Sequence, residues 1–440
     1  MQDVLDYRAQ HLLRSWIRND LSIPQQAQLK SVLNCGTQAV RYKGAATGVY
    51  VVTNRNTSKF FGQSHCQNPW CCPVCSARRM EFYRAKVATA IDLLRDEGFF
   101  GFMVTFTIPH LRFMTCRETT DILYKTWTYF RMKGAALSRK KWHVYQTFSN
   151  EIGIEHFVRV CEYTWGKDNG WHPHFHAIFW CKRENADKIL EWQDRLNEFW
   201  TKTAKRVTLT YWKEKNLHQN EDLNELCERL FKGTEIHQEA VKISVDKKTG
   251  KIMEALSSNY ICGWGGDREL TGNVHKQASH NGHYTPYQIL EMAERNEDMK
   301  KLYLEFCLSV TTKPVHHRVD FSQTGISPLA EEHMEKFGYT SEHYEKKTTW
   351  EVVEFITSEE WSDICYFDRF APVLSNILYL ATTHREILTE YIDSVLGYKR
   401  RRSVDAMEMI ERQCRAIERM LNGTQNRSAS SETSTIGIPA

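Results

Sequence analysis

No run of about 18 apolar residues occurs anywhere in the 440-residue chain, so no membrane-spanning helix and no membrane partner are expected. The stretch from Met1 to Asp20 mixes charges throughout and lacks the apolar core of a secretory leader, which points to the cytoplasm. Neither sign of charge dominates. Lys and Arg number 58 against 54 Asp and Glu, a net charge of +4 that by itself demands no polyanionic partner. Basic residues do cluster at Arg78–Arg79, Arg139–Lys140–Lys141 and Lys399–Arg400–Arg401–Arg402, but each cluster alone reads as a solvated face. Internal repeats are absent. A disulfide framework is not expected either, because the 13 cysteines are odd in number and mostly scattered singly in a chain read as cytoplasmic.

What is present is an alternation of strand-like and helix-like segments. Asp6 to Leu33 reads as helical, Thr37 to Thr53 as strands, and Ser76 stands where an N-cap would open an amphipathic helix reaching about Glu97. That helix carries an apolar stripe of Met80, Tyr83, Val87, Ile91 and Leu94. Phe100–Ile108, His156–Thr164 and Trp171–Cys181 read as strands, with helices over 119–132 and 184–202. A weaker strand, Val241–Val245, precedes a helix expected from about Lys251 to Gly263. The pattern predicts an α+β fold with helices on one face of the sheet. Five segments follow: a helical stretch over 1–34, a zinc-binding segment over 35–75, a core over 76–290, a mostly helical accessory region over 291–422, and a disordered tail over 423–440 that is rich in Ser, Thr, Asn and Gly.

Five cysteines need their own account. Cys72-Pro-Val-Cys75 is a CxxC knuckle whose tight turn aims two thiolates at one ion. Cys66 lies just upstream, and Cys35-Gly36 supplies a fourth sulfur. Four thiolates suit a structural Zn²⁺ with no open position for substrate. Cys71 competes with Cys72, and His65 could replace either; Cys72 is favoured because it completes the CxxC.

His172-Pro-His174-Phe-His176 is the most informative segment. Alternate side chains of a strand share a face, so the three imidazoles point one way while Pro173, Phe175, Ala177 and Phe179 enter an apolar layer. A row of imidazoles on a rigid element is how a metal site is built. Two imidazoles alone hold a divalent ion weakly, and Glu162 is the candidate carboxylate. It lies in the preceding strand, which a loop over 165–170 returns as an antiparallel hairpin. Such a donor set with open positions suits Mg²⁺ or Mn²⁺ acting on a phosphate. Thr105 and Thr107, on the polar face of the Phe102–Ile108 segment, floor the same site. Tyr260, followed by Gly263, Gly265 and Gly266, is a candidate nucleophile, although from chemistry alone it is one of 19 tyrosines.

Taken in order, these segments resemble the replication initiator (Rep) proteins of rolling-circle plasmids, of the HUH endonuclease class. The resemblance runs from Cys35 to about Tyr287. It comprises the cysteine pattern, Thr105-Phe-Thr-Ile-Pro-His110, His172-Pro-His174-Phe-His176-Ala, Tyr260-Ile-Cys-Gly-Trp-Gly with Glu269-Leu-Thr-Gly, and Thr285-Pro-Tyr-Gln-Ile-Leu290. The resemblance implies a five-stranded antiparallel sheet with helices packed behind it. It implies that His174 and His176 hold the divalent ion, with His172 in support, and that Tyr260 attacks one origin strand. That attack would leave a 5′-phosphotyrosine and a free 3′-OH that primes a host polymerase. The implied partners are plasmid origin DNA, single-stranded at the nick, and a host helicase.

Two positions depart from the family. Gly263 stands where a lysine is usual, and Leu256 where some relatives carry a glutamate that ends replication; Glu254, Asp267 and Glu269 are the nearby acids. The competing readings are a transposase or relaxase of the same class, a zinc-dependent DNA-binding regulator with an inactive nuclease fold, and a phosphoesterase without covalent catalysis in which Tyr260 only packs.

Overall fold

The computed structural model describes residues 2–40, 48–54, 56–131, 144–232, 240–256, 264–265, 282–310, 315–317, 349–400 and 402–429. The fold is α+β and its main sheets are antiparallel. The strands are β1 (Gly48–Thr53), β2 (Ser58–Phe61), β3 (Phe99–Thr107), β4 (His156–Gly166), β5 (Gly170–Lys182), β6 (Val241–Ile243), β7 (Ala255–Leu256), β8 (Trp264–Gly265), β9 (His283–Tyr284), β10 (Val315–His317) and β11 (Glu351–Thr357).

The chain divides into two compact units, one formed by 1–79 with 334–440 and the other by 80–333. In the second unit a sheet runs β10-β4-β5-β3-β6, five strands wide, and the short β9 pairs with the far end of β4 as a sixth. β4 and β5 form the expected hairpin, closing from Gly166 to Gly170. Gly170 has φ +78°, and a Cβ there would lie 2.9 Å from the Arg112 carbonyl oxygen, so this turn requires glycine.

Strand alternation decides what each sheet face buries. Phe106, Phe157, Phe175 and Phe179 point to one side. There Phe106, Phe157 and Phe175 pack edge-on or tilted against Trp127 of the helix Cys116–Arg131 and Phe179 stacks on it; Phe106 also meets Phe130 of that helix and Trp200 of the helix Gln193–Lys215. Offset and edge-to-face aromatic contacts of this kind add to the burial of ring area. On the other side, Met103, Val158, Val160, Ile178 and Trp180 pack against Val87, Ala90, Ile91 and Leu94 of the helix Pro73–Asp96. Helices therefore cover both faces, where the sequence pattern placed them on one. The second helix is held by the same stripe that the pattern identified. It covers only the end of the face that is apolar, and the Glu162–His174–His176 end stays polar.

Three boundaries also differ. The helix Pro73–Asp96 starts before Ser76: proline occupies the first turn, where its missing N–H costs nothing, and the Ser76 hydroxyl donates to the Pro73 carbonyl (3.4 Å) rather than capping. No helix opens at Lys251; Ile252 bridges to Val245, Glu254 bridges to Phe102, and Ala255–Leu256 form a strand. The helix Val404–Ala429 runs past Gly423, where the composition marked a disordered tail; 430–440 lie outside the described residues.

In the first unit β1 is central, antiparallel to β2 and to β11, and every residue of it is buried. Tyr50 and Val52 pack with Trp350, Phe355 and Ile417. Arg14 of the helix Gln2–Asp20 forms a buried ion pair with Asp368 (3.1 Å). No described helix is long and apolar enough to cross a membrane.

Candidate functional site

The histidine strand β5 lies between β3 and β4, and register alone assembles a site on it. His174 pairs with Glu162 on one side and Thr107 on the other; His176 pairs with Val160 and Thr105. Directly paired residues of antiparallel strands share a face. Glu162, His174 and His176 thereby converge. His176 Nε2 is 3.0 Å and His174 Nε2 3.5 Å from the same Glu162 oxygen, and the two Nε2 atoms are 3.1 Å apart. An ion with bonds of about 2.1 Å separates neighbouring donors by roughly 3.0 Å in octahedral geometry and roughly 3.4 Å in tetrahedral geometry. The triangle fits a divalent cation.

The hydrogen bonds behind the ligands fix which nitrogens face inward. His174 Nδ1 lies 3.4 Å from the His172 carbonyl oxygen, which can only accept, so this nitrogen carries the proton. His176 Nδ1 lies 3.0 Å from Thr105 Oγ1. Both Nε2 atoms face the Glu162 carboxylate, and in the tautomer with Nδ1 protonated their lone pairs converge with it as a donor set that suits a cation. Burial opposes charge on Glu162, yet hydrogen bonds and charge attraction from His174 and His176 hold its carboxyl well below the usual range. Glu162 is thus an anionic donor.

His172, the first histidine of the row, is not one of the converging donors. It pairs with His110, whose role the sequence did not disclose. His110 Nδ1 donates to the Asn169 carbonyl (3.0 Å), so its Nε2 accepts from His172 Nδ1 (2.6 Å). Burial pushes His110 down to about 4 and His172 well below its ordinary value, so both rings are neutral. The pair ties the β4–β5 turn to the chain leaving β3. The signal was present in Pro109-His110, which follows the strand directly. Thr107 is less engaged: its hydroxyl makes only a long bond to the Ala240 carbonyl (3.4 Å).

The cysteines converge in the first unit, where Cys35, Cys66, Cys72 and Cys75 bring four sulfurs within 4.8 Å of one another. Cys35 Sγ is 3.4 Å from Cys75 Sγ and 3.6 Å from Cys72 Sγ. A tetrahedral Zn²⁺ with bonds of about 2.3 Å places its sulfurs roughly 3.8 Å apart, close to these spacings. The turn is built locally. Gln67 adopts φ 57°, Asn68 Oδ1 accepts from the Trp70 and Cys71 amides, and this rotates Cys72 rather than Cys71 into the set. Backbone N–H groups of Cys66 and Asn68 point at Cys35 Sγ and Cys66 Sγ (3.4 Å each), and buried Gln10 donates to Cys72 Sγ (3.6 Å). Hydrogen bonds from Cys66, Cys72 and Cys75 hold the Cys35 thiol far below its ordinary range, whereas burial raises Cys72. N–H groups aimed at sulfur are the environment of metal-bound thiolate. His65 stands 3.9 Å from Cys75 Sγ, outside the four.

Tyr260, Gly263, Asp267 and Glu269 lie outside the described residues.

The fold and its two donor sets define a chain that could hold metal ions at two separate places. No family profile matches it, and no solved structure matches it. It is 26% identical over 246 residues to a Streptomyces lividans protein named Protein rep, covering 46% of this chain and 54% of that one. It is 25% identical over 191 residues to a Streptomyces cyanogenus protein named Neomycin resistance protein, covering 36% of this chain and 44% of that one. The chain spans about half the length of the curated relatives it matches.

Proposed function

We propose that this protein is a replication initiator of the HUH endonuclease class that nicks one strand of a replication origin. The observation that carries the reading is the convergence of Glu162, His174 and His176 on a sheet face that packing leaves polar. The relative named Protein rep supports it from a separate direction.

His174, His176 and Glu162 would hold Mg²⁺ or Mn²⁺, and Cys35, Cys66, Cys72 and Cys75 a structural Zn²⁺. A divalent ion at the triad supplies Lewis-acid polarisation of the phosphate oxygen. Thr105 orients His176, and the His110–His172 pair steadies the strand end. Tyr260 Oη attacks phosphorus, the bond from phosphorus to the 3′ oxygen breaks, and the phenol proton is lost as the leaving oxygen gains one. The products are a 5′-phosphotyrosine and a 3′-OH. The strand enters unpaired, since a tyrosine cannot reach a phosphate buried in duplex geometry.

The test is incubation with labelled single-stranded oligonucleotides tiled across the DNA flanking the gene, with Mn²⁺ or with EDTA, followed by a denaturing gel. A metal-dependent covalent adduct that Tyr260→Phe abolishes is the expected result. Cleavage that persists in Tyr260→Phe would leave a phosphoesterase in which the tyrosine only packs.

A further inference from the structure

β6 forms the edge of the sheet beside β3, and its register sets Lys242 opposite Thr105. Its neighbours Val241 and Ile243 are buried opposite Phe106 and Val104, while Lys242 is exposed. The alternation places Lys242 on the same face as Thr105, His174, His176 and Glu162. It also places it one strand from Thr105 and two strands, roughly 10 Å, from His176. The described strands carry one other lysine on this face. Lys182 pairs with Phe99, six residues along β3 from Thr105 and so roughly 20 Å away.

We propose that Lys242 binds the DNA phosphate presented to the Glu162–His174–His176 triad. The inference rests on the strand-cleavage reading for its substrate, but the binding it describes can be measured without cleavage. The physical need is one of charge. The triad contributes one carboxylate, a phosphodiester brings another negative charge, and tyrosine attack adds a third as the phosphorus becomes five-coordinate. A divalent ion held by the triad would offset two of these charges and leave the third for a cation at the open rim; the buried cation Arg159 lies on the opposite face, over the Phe175 ring (3.8 Å). An ammonium on a four-carbon stem suits that position, because it reaches past the strand edge and meets a phosphate oxygen as a compact point charge. Its neighbours keep it in place: Val241 and Ile243 anchor β6, and Gln193, at the start of the helix Gln193–Lys215, bonds both the Val241 carbonyl and the Ile243 amide. An edge strand tethered at both flanking residues presents the lysine between them at a fixed height above Thr105.

The experiment compares wild type, Lys242→Ala, Lys242→Arg and Lys182→Ala. Affinity for a fluorescent single-stranded oligonucleotide is measured over a range of salt, and cleavage of the same strand is measured in Mn²⁺. Loss of one phosphate contact on a single strand should make the slope of log affinity against log salt shallower by about 0.7. Cleavage by Lys242→Ala should fall about ten- to a hundred-fold, as for loss of a charge-assisted hydrogen bond, with Mn²⁺ affinity unchanged. Lys242→Arg should keep the slope and Lys182→Ala should resemble wild type. An unchanged slope in Lys242→Ala overturns the proposal, whether or not wild type cleaves. A reduced slope without cleavage by wild type would sustain the phosphate contact and sink the nickase reading instead.

Discussion

Replacing Thr105 with valine isolates the hydrogen bond that orients His176. The two side chains are nearly the same size and both are β-branched, so the strand conformation is kept while the hydroxyl is lost. In the native protein Thr105 Oγ1 sits 3.0 Å from His176 Nδ1, and His176 is buried. Without the hydroxyl the ring can rotate or switch tautomer, and its Nε2 no longer presents a fixed lone pair. Outer-shell substitutions of this kind cost about ten- to a hundred-fold in metal affinity, equivalent to about 1.4–2.7 kcal/mol. Thr107→Val is the matched control: it lies on the same face, but its hydroxyl makes only the 3.4 Å bond to Ala240, and less than about a two-fold change is expected. Titration calorimetry with Mn²⁺ on metal-free protein reads both. Equal Mn²⁺ affinity in wild type and Thr105→Val would refute the reasoning, and so would equal weakening by the two valines.

Two further outcomes follow from other parts of the molecule. Cys72→Ser should release zinc, measured as metal per chain, and lower the melting temperature, whereas Cys71→Ser should keep the metal, since Cys71 is buried outside the four-sulfur cluster; zinc retained by Cys72→Ser would contradict the ligand set. His110 is held neutral in the fold, its value down at about 4 from 6.5. The unfolded chain therefore binds a proton first as pH falls, so stability present above about 6.5 is lost toward about 4, by up to about 3 kcal/mol. Urea unfolding between neutral and mildly acidic pH should show that decline, and His110→Asn should flatten it; an identical pH profile in the variant would remove His110 as its source.

The features that sequence disclosed are those governed by local periodicity. Alternation along His172–His176 and the short glycine-bearing return at Gly170 determine both the shared face and the pairing of Glu162 with His174, and the structure realises both. The CxxC knuckle likewise carries its geometry in four residues. What escaped was set by distant partners. Lys251 to Leu256 consists largely of good helix formers, but pairing with Val245 and Phe102 draws the segment into strands, a tertiary override of propensity. β1 pairs with β11 across some three hundred residues, which no local pattern announces. The His110–His172 bond and the Thr105–His176 bond depend on register between strands separated by the helices around 116–152. The second helical layer was missed for a related reason: His172, His174 and His176 suggested a wholly polar face, yet Ile178 and Trp180 continue that face as an apolar patch for the helix Pro73–Asp96.

The central claim is that the triad serves a covalent attack by Tyr260, and peptide mass analysis tests it most directly. After incubation with a single-stranded oligonucleotide and Mn²⁺, nuclease and protease digestion should leave a nucleotide mass on the peptide containing Tyr260, absent in EDTA and absent when His176 is alanine. A nucleotide carried by a different residue, or strand cleavage that leaves every peptide unmodified, would contradict the account.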